Sequence, residues 1–340
     1  SGFFIPRDRP DPWLGFERGL ELMAEVRQML AARTGRAARF VWLVRADAQI
    51  ETVYGSAAWA LERYGERFAA LEALGDEVGL HVHAYRWQAG RDNWVEDYGD
   101  QAWVEHCVRL GVDAFAAARR RRPATFTMGM DWTNQATMSL ARALGVRWEL
   151  TPIPGTEPRP LHFLTGPYTG TAPDCTRIPR RPYQPAGDDF RRPAPPAADG
   201  MWIIPLSSRV APLDLSWKRR LYNRLRLQAR VRRARKFFLT DAPAALRPAI
   251  SAALHATAAP YLTFAVRSDE FLRRRSLAAI RRNLAHLLDE AAGELVFATP
   301  AEAVRILAAA GGIEAAAREP QPEALAERRR RRSDSSQTRS

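Results

Sequence analysis

Cysteine is nearly missing: the 340 residues include two, Cys107 and Cys175. Two thiols cannot build the disulfide lattice of a small secreted domain. Both are expected to be reduced, in a cytoplasmic protein. The opening Ser1-Gly2-Phe3-Phe4-Ile5 also lacks the charged-then-apolar layout of a secretory leader. No apolar run approaches the roughly 20 residues that a membrane-spanning helix needs. Histidine is scarce too, with six in all, so two that fall together carry weight. No segment repeats another.

What is present reads as globular. Hydrophobic residues make up 46% of the chain and ten are Trp, enough for a large core rather than a disordered chain. Basic residues outnumber acidic ones by 51 to 38, a net charge of +13. Most of the excess is Arg, in scattered runs with little aromatic interleaving, which argues against a specific nucleic-acid partner. The stretch 217–238, opening on Trp217 and closing on Phe238, reads as a strongly basic helix that could rest on an anionic membrane surface. Nothing in the pattern specifies an oligomeric state.

Along the chain, helical spacing of apolar residues covers 16–32 and closes near Gly35. A near-continuous apolar run, 39–44, fits a strand buried in a parallel sheet. An amphipathic run, 58–74, ends at Gly75, and 78–82 follows as a strand. A helix over 102–118, a strand from Thr125, a helix over 135–144 capped by Thr133 or Asn134, and a strand over 146–150 continue the alternation. Strand and helix in turn predict βαβ units, with chemistry at the carboxyl ends of the strands. Residues 151–200 lose the apolar period and gain Pro and Gly, as an irregular excursion would. Further strands are expected at 201–206, 260–266 and 294–297, and helices at 277–288 and 300–309. The expected organisation is one domain over 1–315 and a disordered basic tail over 316–340.

His81 and His83 lie two apart, so on a strand they project from one face. Two imidazoles so placed suit a metal that takes nitrogen ligands, zinc above all. The Pro-rich loop after the first strand carries Asp8 and Asp11. Asp47 ends the second strand beside Arg45. His106, His162, His255 and His286 fall on helices or loops without partners and read as surface or packing residues.

The string Gly75-Asp76-Glu77-Val78-Gly79-Leu80-His81 resembles the Gly-His-Glu-Ile-Gly-x-His strand of the polysaccharide deacetylase superfamily. The segment 126–145 (Phe-x-x-Gly-x-Asp-Trp-x-Asn, a helix, then Leu-Gly-Val) resembles the region after that family's third motif, and 182–207 resembles its divergent bacterial members. The resemblance spans about 3–307. It implies a distorted (β/α) barrel of about seven parallel strands. It also implies a metal-dependent hydrolase that removes N-acetyl or other acyl groups from a glycan or nucleotide-linked sugar in cell-surface polysaccharide synthesis. A degenerate barrel that binds such a sugar without hydrolysis is the alternative. This sequence has Tyr85 where the family has its second metal histidine, and Asp8-Arg9-Pro10-Asp11 where it has paired aspartates. Arg267-Ser268-Asp269 stands where it has a late histidine.

On this pattern the ligands would be His81, His83 and Asp8 or Asp11, taken as Asp11, with Asp8 as base and Asp47 as its competitor. Arg267 would stabilise an oxyanion or bind an anionic group. Arg45, Tyr85, Trp87, Asp131, Trp132 and Asp269 would contact substrate. Glu77 would orient a neighbouring group.

Overall fold

The computed structural model of the chain describes Ile5 and residues 13–161, 167–212, 232–291 and 294–313. The first helix, α1 (Leu14–Thr34), buries Phe16, Leu22, Val26 and Leu30 and stops at Gly35, whose φ of 67° is the left-handed closure that glycine accepts. β1 (Val41–Arg45) follows. The amphipathic run ahead of the histidines is divided, with α3 (Trp59–Arg63) and α4 (Gly65–Ala73) after a short α2 (Ala48–Tyr54). Then come β2 (Glu77–Val82), β3 (Tyr85–Gln88), β4 (Asn93–Asp97), α5 (Gln101–Arg119) and β5 (Thr125–Met128). In α6 (Gln135–Ala143), Asn134 is the cap and accepts from the Thr137 N–H at 2.8 Å. β6 (Trp148–Glu149) ends the first half. The excursion that follows holds three two-residue strands: β7 (Tyr168–Thr169), β8 (Gln184–Pro185) and β9 (Pro193–Ala194).

β1, β2, β5, β6 and β10 (Trp202–Ile203) form one parallel sheet, in the order β1-β2-β5-β6-β10. This is the expected α/β, barrel-like architecture. β2 lies inside the sheet, and its Val78, Leu80 and Val82 are buried with Val104, Val108, Val112 and Phe115 of α5. Gly111 permits the close approach of α5. A Cβ there would stand 2.6 Å from the Ala46 carbonyl and 2.7 Å from Val82.

The second half of the wall is built differently from the expectation. Residues 213–231 lie outside the described residues. Arg232–Lys236, expected to be helical, forms β12, antiparallel to β11 (Ser208–Pro212). Ion pairs explain the extended form. Asp241 accepts from Arg209 (3.0 Å) and Arg235 (2.7 Å), one from each strand, while Phe237 is buried just beyond. Residues 260–266 and 294–297 are extended but form no regular strand. The first joins residues 207 and 237–239 through a few hydrogen bonds, such as Ala265 N–H to the Phe237 carbonyl (2.9 Å). Arg39 N–H to the Phe297 carbonyl (3.1 Å) ties the second to the start of β1. The wall therefore has five laddered strands, and the two segments are each tied to it by isolated bonds, with no backbone hydrogen bond between them among the described residues.

Outside it, α1, α7 (Pro243–Leu254) and α8 (Arg274–Glu290) share a second core with Phe237 and Leu239. α9 (Pro300–Ala309) starts with a Thr299–Glu302 capping box. Among the described residues no helix is long and apolar enough to cross a membrane. Both cysteines are buried and free, and burial pushes the Cys175 thiol up to about 12. The expected tail, 316–340, and the expected strand at 3–5, apart from Ile5, lie outside the described residues.

Candidate active site at the carboxyl ends of the strands

The parallel register aligns three residues across the sheet. Arg45 pairs with His81, and His81 with Thr127. Partners in register share a face, and all three line a cavity of about 1350 Å³. His83 follows one residue beyond the end of β2 and lines the same cavity. The two imidazoles lie with ring centroids 4.6 Å apart, tilted by 33°. Both are held well below the ordinary histidine range, chiefly by burial. For His81 the neighbouring imidazole and the Arg45 cation add to it, and for His83 the Arg45 cation does. Two neutral imidazoles thus stand side by side at the end of an inner strand.

His83 is held from behind. Its Nδ1 lies 2.5 Å from Glu96 Oε1, and the same oxygen is 2.5 Å from the Tyr98 hydroxyl. Glu96 is fully buried, and burial pushes its carboxyl up to about 7. Tyr85 faces Glu96 across the β3–β4 ladder, and its ring stacks on His83 at 5.2 Å between centroids. The histidine expected at that position is thus replaced by a fully buried packing residue, not by a substrate contact.

The carboxylates and cations expected in the site are mutually engaged. Asp47 is fully buried and accepts two hydrogen bonds from Arg45 Nη2 (2.8 and 3.0 Å) and one from its Nε (2.9 Å). It also caps α2 through the Gln49 and Ile50 N–H groups, each at 3.1 Å. Asp47, the competitor of Asp8 for the role of base, is thus engaged as the cap of α2 and the counter-ion of Arg45. Arg267 grips Asp269 in a two-point contact (3.0 and 2.8 Å), which makes Asp269 a partner of Arg267 rather than a substrate group. Asp131 lines the cavity but is paired with Lys236 at 2.5 Å.

Trp87 and Trp132 lie off the cavity. Trp87 packs edge-on against Trp94. Trp132 stacks on Tyr98 at 4.8 Å and donates to the Thr171 carbonyl, so both pack rather than hold substrate. Glu77 sits at the amino end of β2, about 13 Å along the strand from His81, where it accepts from the Thr125 hydroxyl. His106 stacks on Trp103, and His255 and His286 bond locally near Ser251. His162, Asp8 and Asp11 lie outside the described residues.

A divalent ion would find two nitrogen ligands in His81 and His83. Among the described residues no third His, Cys, Asp or Glu joins them in a cluster able to hold a metal. The residues that the sequence reading missed are Glu96, Tyr98, Thr127 and Lys236. The string Trp94-Val95-Glu96-Asp97-Tyr98, a glutamate set among strand-forming aromatics, was the available signal for the first two.

No family model matches the chain, and no curated protein matches it in sequence. Solved structures do resemble it. One is a Mycobacterium smegmatis protein assigned as a polysaccharide deacetylase (13% identity, covering 87% of this chain and 78% of that one, TM-score 0.43). Another is PuuE allantoinase (15%, 88% and 73%, TM-score 0.49). A third is a Parabacteroides distasonis protein assigned as a glycoside hydrolase/deacetylase (10%, 82% and 61%, TM-score 0.43). These likenesses concern the fold.

Proposed function

We propose that the chain is a metal-dependent hydrolase that removes an N-acetyl or other acyl group from a glycan or sugar precursor. The observation that carries this reading is the pair His81 and His83, neutral, adjacent and facing a cavity large enough for a sugar. These two, with Asp11 as third ligand, would hold zinc. A zinc ion supplies polarisation of the acyl carbonyl and a water of lowered pKa. Asp8 would take the proton from the attacking water. Lys236, held by Asp131, and Arg267, held by Asp269, give the cavity fixed donors for the sugar or for an anionic group on it.

A second reading rests on a specific observation. Asp47 and Asp131 are both tied to cations, and among the described residues no carboxylate completes a ligand set. On that reading the barrel binds a glycan or nucleotide-linked sugar and leaves it intact.

Metal analysis separates the two. Protein purified without added metal or chelator, beside a His81→Ala, His83→Ala double variant, is expected to hold about one equivalent of a divalent ion. The variant is expected to hold none, and acetate release from N-acetylated oligosaccharides should follow the metal. Wild-type protein that stays metal-free after incubation with zinc would eliminate the hydrolase and leave the binding barrel.

A further inference from the structure

An imidazole on a strand end can turn about χ2, and its broad torsional preference does not choose which nitrogen faces out. Around His83 the choice is made by neighbours. Gly129 begins the turn after β5, and a Cβ there would lie 2.1 Å from His83 Nδ1, 2.4 Å from Cε1 and 2.5 Å from Cγ. Only glycine lets the Nδ1 edge of the ring seat against that backbone. Glu96 Oε1 meets the seated edge at 2.5 Å. Tyr98 fixes Glu96 in turn, its hydroxyl lying 2.5 Å from the same oxygen and 2.8 Å from the Gly129 carbonyl. Tyr85 closes the ring's face, its own ring within 18° of parallel. The edge turned away from this wall carries Nε2.

We propose that Glu96 is the positioning residue of His83: it accepts from Nδ1–H, fixes that tautomer, and so makes Nε2, with its lone pair, the atom that His83 offers to the cavity. Tyr98 and Gly129 complete the device, one by orienting the carboxyl and the other by making room for the ring. This deepens the functional reading above, since Nε2 is then the atom that would receive a metal ion or a proton. The carboxyl–imidazole pairing behind a ligand is the arrangement that orients histidines at metal centres generally.

The test needs neither metal nor substrate. The full chain, labelled with ¹⁵N-histidine and dialysed against chelator, is examined by long-range ¹H–¹⁵N correlation, with the His83 signals assigned by their loss in His83→Gln. His83 is expected in the Nδ1–H form. Glu96→Gln, whose amide oxygen still accepts, should keep it. Glu96→Leu should lower the ratio of Nδ1–H to Nε2–H by about tenfold, equivalent to about 1.4 kcal/mol. Should Glu96→Leu not fold, Tyr98→Phe replaces it, with a smaller shift in the same direction expected.

A wild-type His83 in the Nε2–H form, or a ratio indifferent to Glu96→Leu and Tyr98→Phe, would overturn the assignment. A locked Nδ1–H tautomer in a protein that never takes up zinc would keep the role of Glu96 and remove the hydrolase. A zinc-binding protein with His83 in the Nε2–H form would do the reverse.

Discussion

Glu149 shows most simply what burial does to a single residue. It is 1% exposed, and among the described residues its carboxyl accepts from Thr151 alone, through the backbone N–H and the hydroxyl. Burial raises it to about 8. The sign follows from which state holds the proton. Between the ordinary carboxyl range and about pH 8 the folded chain keeps it and the unfolded chain has lost it. Each pH unit in that window therefore lowers stability by about 1.4 kcal/mol, and the loss is complete above pH 8. Glu149→Gln keeps the acceptor and removes the titration. Urea midpoints at pH 5, 7 and 9 are expected to fall steeply for the wild type and less for the variant. Parallel curves would show that Glu149 ionises as it does in water.

At the scale of one element, β1 and α2 share a joint in Arg45 and Asp47. Asp47→Ala removes both the cap of α2 and the counter-ion of a buried guanidinium. It is expected to cost about 3–5 kcal/mol, the usual result of orphaning a buried charge. Asp47→Asn keeps the capping oxygen and should cost about 1 kcal/mol less. Denaturant midpoints measure both. A variant of undiminished stability but no activity would return Asp47 to the role of base.

The same joint shows where the sequence was legible and where it was not. The periods of α1 and α5, the glycine stops and the Asn134 cap are local, so the order of strands and helices was readable, as was the placing of His81 at a strand end. Glu96 behind His83 is a contact between a strand end and a hairpin, made by folding in three dimensions. The basic stretch before Phe237 read as helix on charge and spacing, yet Arg232–Lys236 is extended because β11 and Asp241 stand opposite. Tyr85 and Trp87 sit near the histidines in sequence and Trp132 follows the turn after β5, but their rings are spent on packing.

Taken whole, the molecule has two kinds of wall. One is the five-stranded ladder that ends in Arg45, His81 and Thr127. The other is the pair of extended segments, 260–266 and 294–297, with no backbone hydrogen bond between them among the described residues. Hydrogen exchange should tell them apart. Amides of β1, β2 and β5 are expected to exchange only on global unfolding. Those of the two extended segments are expected to exchange about a hundredfold faster or more, the factor set by about 2.8 kcal/mol. Equal protection would mean that the ring opens as one unit. Leu262 and Phe297 line the cavity on the side held by isolated bonds, so a local opening there would bare the cavity without parting the ladder that carries His81.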